Sequence, residues 1–205
     1  WSPPEPWRAH HTRWNNVVTA PVHAEFTVGP HANGSIGLQR LWLKADALSA
    51  FGLTVQALQA EATFDGSRWR VARMQALVGN GGCTGPIVAH GSFDPATGQY
   101  HVRADAGVDP SAVRPLLNPI AALHLGAYRP LGPPPRIQIE AEGQLTDPNT
   151  VSAAGSFTAR NFTWNGAFVA HASGRIHLDA GVLRLEEVVV HRPDGQMTGR
   201  LEQDF

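Results

Sequence analysis

The sequence predicts a mainly β protein: a repetitive antiparallel sheet, curved and open, with one or two short helices between repeats. Three observations predict it. Long segments alternate apolar and polar side chains with period two. Turn-forming residues punctuate the chain at short intervals. The chain also matches itself at one fixed offset.

In chain order, HAEFTV (residues 23–28), LQRLWLKADA (38–47) and TVQALQAEATF (54–64) read as strands, and FDGS closes the last of them. RWRVARMQALV (68–78) follows, then the turn VGNGG, PIVAHGSF (86–93), the turn DPATGQ and QYHVRADAGV (99–108). Residues 109–126 break the period. Val113, Leu116, Leu117, Ile120, Leu123 and Leu125 recur at roughly helical spacing behind Asp109 and Pro110, a suitable N-cap and first-turn pair. Pro115 and Pro119 interrupt any long helix, so one or two short ones fit better. RPLGPPPR (129–136) is then a stiff extended connection.

The clearest strand is RIQIEAEGQL, with Ile137, Ile139, Ala141, Gly143 and Leu145 on one face and Arg136, Gln138, Glu140, Glu142 and Gln144 on the other. VSAAGSFTARNF (151–162) precedes FVAHASGRIHL. There Phe168, Ala170, Ala172, Gly174, Ile176 and Leu178 are expected to share a face opposite Val169, His171, Ser173, Arg175 and His177. VLRLEEVVV (182–190) runs into RPDG, where Pro193 fixes φ and Gly195 is free to take a positive one. The His, Arg and Asp of HRPDG resemble an active-site loop, yet they read better as a hairpin joint.

The self-match places Asp65 on Asp179, 114 residues on, and needs no gap. At that offset Gly29 meets Gly143, Ala45 meets Ala159, Gly52 meets Gly166, Gly81 meets Gly195 and Gly85 meets Gly199. The expected organisation is therefore the end of a preceding repeat or linker at 1–13, a first repeat unit at 14–127 that includes the helical connector 109–126, and a truncated second unit at 128–205. Gly52, Gly81, Gly85, Gly166, Gly195 and Gly199 are expected at turns. The competing reading is a single sandwich or barrel whose turns coincide by accident.

Composition removes several function classes. Lys+Arg of 16 against Asp+Glu of 17 gives a net charge of -1, which lacks the clustered basic charge that nucleic acid demands. One cysteine, Cys83, permits no internal disulfide and no Cys-based zinc cluster. No apolar run approaches the ~20 residues of a membrane helix. The ten histidines show no metal-ligand spacing: His10 and His11 are adjacent and diverge on an extended chain, while His171 and His177 stand roughly 20 Å apart along one strand. No G-x-S-x-G elbow is present, and VGNGG lacks the Lys and following helix of a phosphate loop. The expectation is a non-enzymatic segment without catalytic residues, metal or cofactor, cut from a longer protein.

GQLTDPNTVSAAGSFTARNFTWNGAFVAHASGRIHLDAGVLRLEEVVVHRPDGQMTGRL resembles the C-terminal region of the AsmA-like family. Phe162, Trp164, Gly166, Gly181, Leu183, Leu185, Gly195 and Gly199 follow that family's rhythm of an aromatic pair, a small turn, G-x-L-x-L and a closing glycine turn. DPSAVRPLLNPIAALHLGAY followed by GPPPRIQIEAEG is similar to the linking helix and re-entry strand between its repeats. The resemblance covers about residues 40–205, and Pro86 departs from the usual pattern. It implies a periplasmic protein of a diderm bacterium, tethered to the inner membrane by an anchor outside this segment and linked to phospholipid transport and outer-membrane homeostasis. Its partners would be phospholipid acyl chains and neighbouring repeats of the same chain. In such a groove Phe64, Ile139, Phe157, Phe168, Ile176, Leu178 and Leu185 would form the apolar lining. Ala60, Ala62, Ala141, Gly143, Ala172 and Gly174 would leave it width. The alternative is an extracellular β-solenoid or sandwich module acting in adhesion or as a spacer.

Overall fold

The computed structural model describes residues 21–30, 36–50, 53–80, 83–112 and 125–204. Gly52, Gly81 and the expected segment 1–13 lie outside them, as do residues 113–124 of the connector. The described chain is almost all strand: β1 Val22–Pro30, β2 Ile36–Ala50, β3 Leu53–Phe64, β4 Trp69–Asn80, β5 Cys83–Phe93, β6 Gln99–Ala106, β7 Tyr128–Pro130, β8 Arg136–Gln144, β9 Asp147–Trp164, β10 Ala167–Asp179, β11 Val182–Arg192 and β12 Gly195–Asp204. They form one antiparallel sheet in the order β1-β2-β3-β4-β5-β6-β8-β9-β10-β11-β12, with β7 pairing β9 beside β8. The sheet is curved and does not close into a barrel. Of the connector, Asp109 caps a short 3-10 turn at 110–112. Its Oδ1 accepts from the Ser111 amide at 2.8 Å and the Ser111 hydroxyl at 2.7 Å.

Local chemistry sets the hairpins. Asn165–Gly166 and Ala180–Gly181 each take two consecutive positive φ angles (49° and 78°, 47° and 80°), as a two-residue type I′ turn requires. Asp65 closes the β3–β4 turn by accepting from the Ser67 and Arg68 amides at 3.0 and 2.9 Å, and Asp94 does the same for Ala96 and Thr97. The HRPDG stretch is a joint: Arg192 pairs with Gly195 across Pro193–Asp194, and Gly195 has φ 151°. Gly85 and Gly199, expected at turns, are strand residues facing Val78 and Val188. Gly85 is needed inside its strand because a Cβ there would run into the Gly107 carbonyl oxygen.

The two halves share registers at the 114-residue offset. β1 and β8 are the same nine-residue length at that spacing. Ala45 faces Leu58 as Ala159 faces Ala172, and Ala62 faces Val71 as Ile176 faces Leu185. The bulge between Val71 and Met74 recurs between Leu185 and Val188, where Glu187 takes a positive φ of 49°. The last hairpin differs, because Arg192–Gly195 turns earlier than Asn80–Cys83 does. Gly85 and Gly199 therefore match in sequence without occupying equivalent places.

One expected face is corrected. Asn161 sits within β9 at φ 51°, beside the chain crossing where the Leu131 amide donates to its carbonyl at 2.8 Å. That residue slips the alternation by one. Phe162 and Ala159, three apart, consequently share a buried cluster with Val169, Ala172 and Tyr128. Val169 thus joins the apolar face, and Phe168, its neighbour, is turned to the other face and is 39% exposed.

Candidate functional site

Directly opposed residues of neighbouring antiparallel strands project to the same side of a sheet. Following the pairs strand by strand gives a continuous row across the whole path: Ala24, Leu43, Ala60, Met74, Ala89, Ala104, Ile139, Gly155, Ile176, Leu185 and Leu201. Every member is apolar or glycine. The next row on that face runs from Phe26 and Leu41 through Ala62, Val71, Gly91, Val102, Ala141 and Ala153 to Leu178 and Leu183, and only its last member, Gln203, is polar. With strands about 4.8 Å apart, ten spacings carry these rows for roughly 48 Å.

Extensive contacts between described elements occur only between sheet neighbours, and none of the described large side chains is fully buried. Even so, the two faces differ. Ala153 and Ala154 are consecutive alanines of β9; Ala153 is 6% exposed, while Ala154 is exposed. Ala89 on the apolar face is 3% exposed, and His90 beside it is exposed. On a curved sheet without a second layer among the described elements, such crowding marks the concave side. The apolar face is a trough.

Six of the seven lining residues expected from sequence lie on this face. Ile139, Ile176 and Leu185 stand in the first row and Leu178 in the second. Phe157 faces Ile137 and Gly174, a row nearer the other strand ends. Phe64 lies two residues beyond Ala62. Phe168 is outside the trough. The small residues Ala60, Ala62, Ala141, Gly143, Ala172 and Gly174 all fall on the trough side, and Gly174 is filled by its neighbour: a Cβ there would meet the Phe157 ring at 2.8 Å.

One row escaped the sequence reading, which singled out only its first aromatic member, Phe64. Phe64 faces Trp69, Trp69 faces Phe93, Phe93 faces Tyr100 and Tyr100 faces Gly143, forming an aromatic row along the ends of β3–β6. The Phe64 and Trp69 rings lie 5.1 Å apart. The sequence signal was available: aromatics flank both turns, in FDGSRW and FDPATGQY. Past this row come the charged turn residues Asp65, Arg68 and Asp94, so polarity rises along the strands from alanine floor to aromatic row to charge. Hydrogen bonds from the Arg68 and Ser67 amides hold the Asp65 carboxyl well below its usual range, and those from Ala96 and Thr97 lower Asp94.

The convex face is polar and internally paired. His90, Arg103, Glu140, Ala154, His177, Arg184 and Glu202 form one of its rows. Glu140 takes Arg103 at 2.9 Å and His101 at 2.6 Å, and these hydrogen bonds lower its pKa. Asp105 is lowered by Gln138 first and by Arg136 second. Depressions of about 530 and 610 Å³ lie between such side chains, the first lined by Arg68, Asp94 and Glu142 among others and the second by Arg103, Asp105 and Glu140 together with Val88 and Ala154. His171 and His191 face each other across β10 and β11, rings 5.7 Å apart. Among the described residues no three His, Cys, Asp or Glu side chains gather closely enough to hold a metal ion, and no helix is long and apolar enough to cross a membrane. No family model, no curated protein and no solved structure matches the chain.

Proposed function

We propose that the chain is a lipid-holding segment of an AsmA-like envelope protein, its concave face carrying phospholipid acyl chains along the sheet in the periplasm. The observation that supports this reading is the unbroken apolar row from Ala24 to Leu201 on a face that no described element covers. A core row in a sandwich would meet a second sheet; this one meets no second layer among the described residues. Moving a lipid through water exposes its chains at about 0.8 kcal/mol per methylene, so a ~16-carbon chain costs roughly 10 kcal/mol. A trough that stays apolar from strand to strand removes most of that cost while the headgroup remains in water. The paired charges of the convex face keep that side in water.

Native mass spectrometry of the gently extracted protein, with lipid analysis of the same sample, tests the reading. Co-purifying phospholipid in stoichiometric amount is the expected result. Recovery of lipid-free protein that also fails to take up added phospholipid would sink it and leave the spacer reading in its place.

A further inference from the structure

β12 holds in the second half of the sheet the place that β5 holds in the first. Each follows the same bulge, and the pairs correspond once the earlier turn of the last hairpin is allowed for, the β11 residues lying 114 positions beyond those of β4 and the β12 residues 110 beyond those of β5: Ala76 faces Ile87 as Val190 faces Met197, Met74 faces Ala89 as Val188 faces Gly199, and Val71 faces Gly91 as Leu185 faces Leu201. The outer edge of β5 is occupied. β6 pairs along it, setting Ala106 against Ile87, Ala104 against Ala89, Val102 against Gly91 and Tyr100 against Phe93. The outer edge of β12 has no partner among the described residues.

That edge lacks the usual guards. Soluble sheets blunt free edges with proline, inward charge or short strands, whereas β12 is ten residues long without proline. Of its charged residues, Arg200 and Glu202 lie on the convex face, and its trough face offers Met197 and Leu201, 60% and 50% exposed. We infer that the outer edge of β12 takes an antiparallel strand of β6 pattern, with an aromatic, a valine and two alanines at alternate positions, set against Gln203, Leu201, Gly199 and Met197. The β5–β6 junction supplies both register and face: the added strand continues the trough rows past Leu201 and Gln203. Leu201 stands where Gly91 admits the His101 carbonyl in the first half, so the new strand approaches less closely at that point. The inference concerns assembly and holds whether or not the trough carries lipid.

The probe is a synthetic peptide of residues 97–108, which contains β6, added to the intact chain under hydrogen-exchange mass spectrometry. A peptide of the same composition with apolar and polar positions interchanged is the control. The expected result is several-fold slower exchange over Gly195–Asp204 with the β6 peptide and no change with the control. Equal protection by both peptides, protection confined to β1, or none at all overturns the inference. Concentration-dependent protection of β12 without peptide also overturns it, since a second copy would then be the occupant.

Discussion

Ile139 and Ile176 stand on either side of Gly155 in one cross-strand row, facing each other across a strand that offers no side chain between them. The gap has a backbone cause. A Cβ on Gly155 would run into the Gln138 carbonyl oxygen, and one on Gly91 into the His101 carbonyl oxygen. Strands approach closely at these two glycines. Gly155→Ala and Gly91→Ala are each expected to cost about 1–3 kcal/mol, the range for forcing extra volume into a packed site. Urea unfolding followed by circular dichroism measures this; loss of less than about 0.5 kcal/mol, as at an ordinary surface site, would show that the approach is slack.

The trough reading separates two substitutions of equal charge in neighbouring strands. Ile139→Asp places a carboxylate in the first apolar row, while Ser156→Asp places one on the convex face opposite Arg175. Bound phospholipid per chain should fall several-fold in the first and stay unchanged in the second. Equal effects from both would assign the lipid to a general surface interaction.

Trp69 reports on orientation. It lies in the aromatic row between the alanine floor and the Asp65–Arg68 turn, so a lipid with its headgroup at those charges sets the upper part of its chain against the indole. Phospholipid brominated near the glycerol should quench Trp69 fluorescence more than phospholipid brominated near the chain end. Trp69→Phe should remove that difference. Stronger quenching from the chain end would reverse the orientation, and bound lipid without any quenching would place it on another part of the trough.

Much of this architecture was legible because alternation is a local property. Ile137, Ile139 and Ala141 keep one face simply by being two apart, and nothing in β8 interrupts them. Phe168 was misplaced for a reason that alternation cannot carry: the slip arises at Asn161, in the neighbouring strand. Gly85 and Gly199 look like turn glycines in sequence, and only the hairpin pairings move them into strands. The aromatic row depends on the registers of four strands at once, although the turns FDGS and DPATGQ bring its members into line. The family resemblance is of another kind, resting on glycine and leucine spacing that many twisted sheets share.

Acid should loosen the convex face. Glu140 and Asp105 are depressed, chiefly by hydrogen bonds from Arg103 and Gln138, and Asp65 and Asp94 by backbone amides of their own turns. A carboxylate with a lowered folded pKa contributes its stability above the unfolded value, about 4. That contribution is lost as pH falls from there through the folded value. Urea midpoints should therefore hold from neutral pH to about 5 and decline below about 4. Glu140→Gln should flatten part of that decline. An unchanged acid limb would mean that Glu140 holds no bond it does not also hold unfolded.

Tyr128 sets the alkaline limit. It is 6% exposed, packed against Phe162 with ring centroids 5.3 Å apart, and burial together with the nearby Asp109 carboxylate pushes its phenol up to about 12. The unfolded phenol ionises near 10. The folded protein thus keeps a proton that the unfolded chain gives up, so this contribution is complete below about pH 10 and disappears as pH rises to about 12. Ultraviolet titration should show a phenolate step near pH 12 that is missing in Tyr128→Phe, and that variant should lose stability less steeply above pH 10. If the step survives in Tyr128→Phe, it does not belong to Tyr128, and the cluster of Tyr128, Phe162 and Val169 admits water.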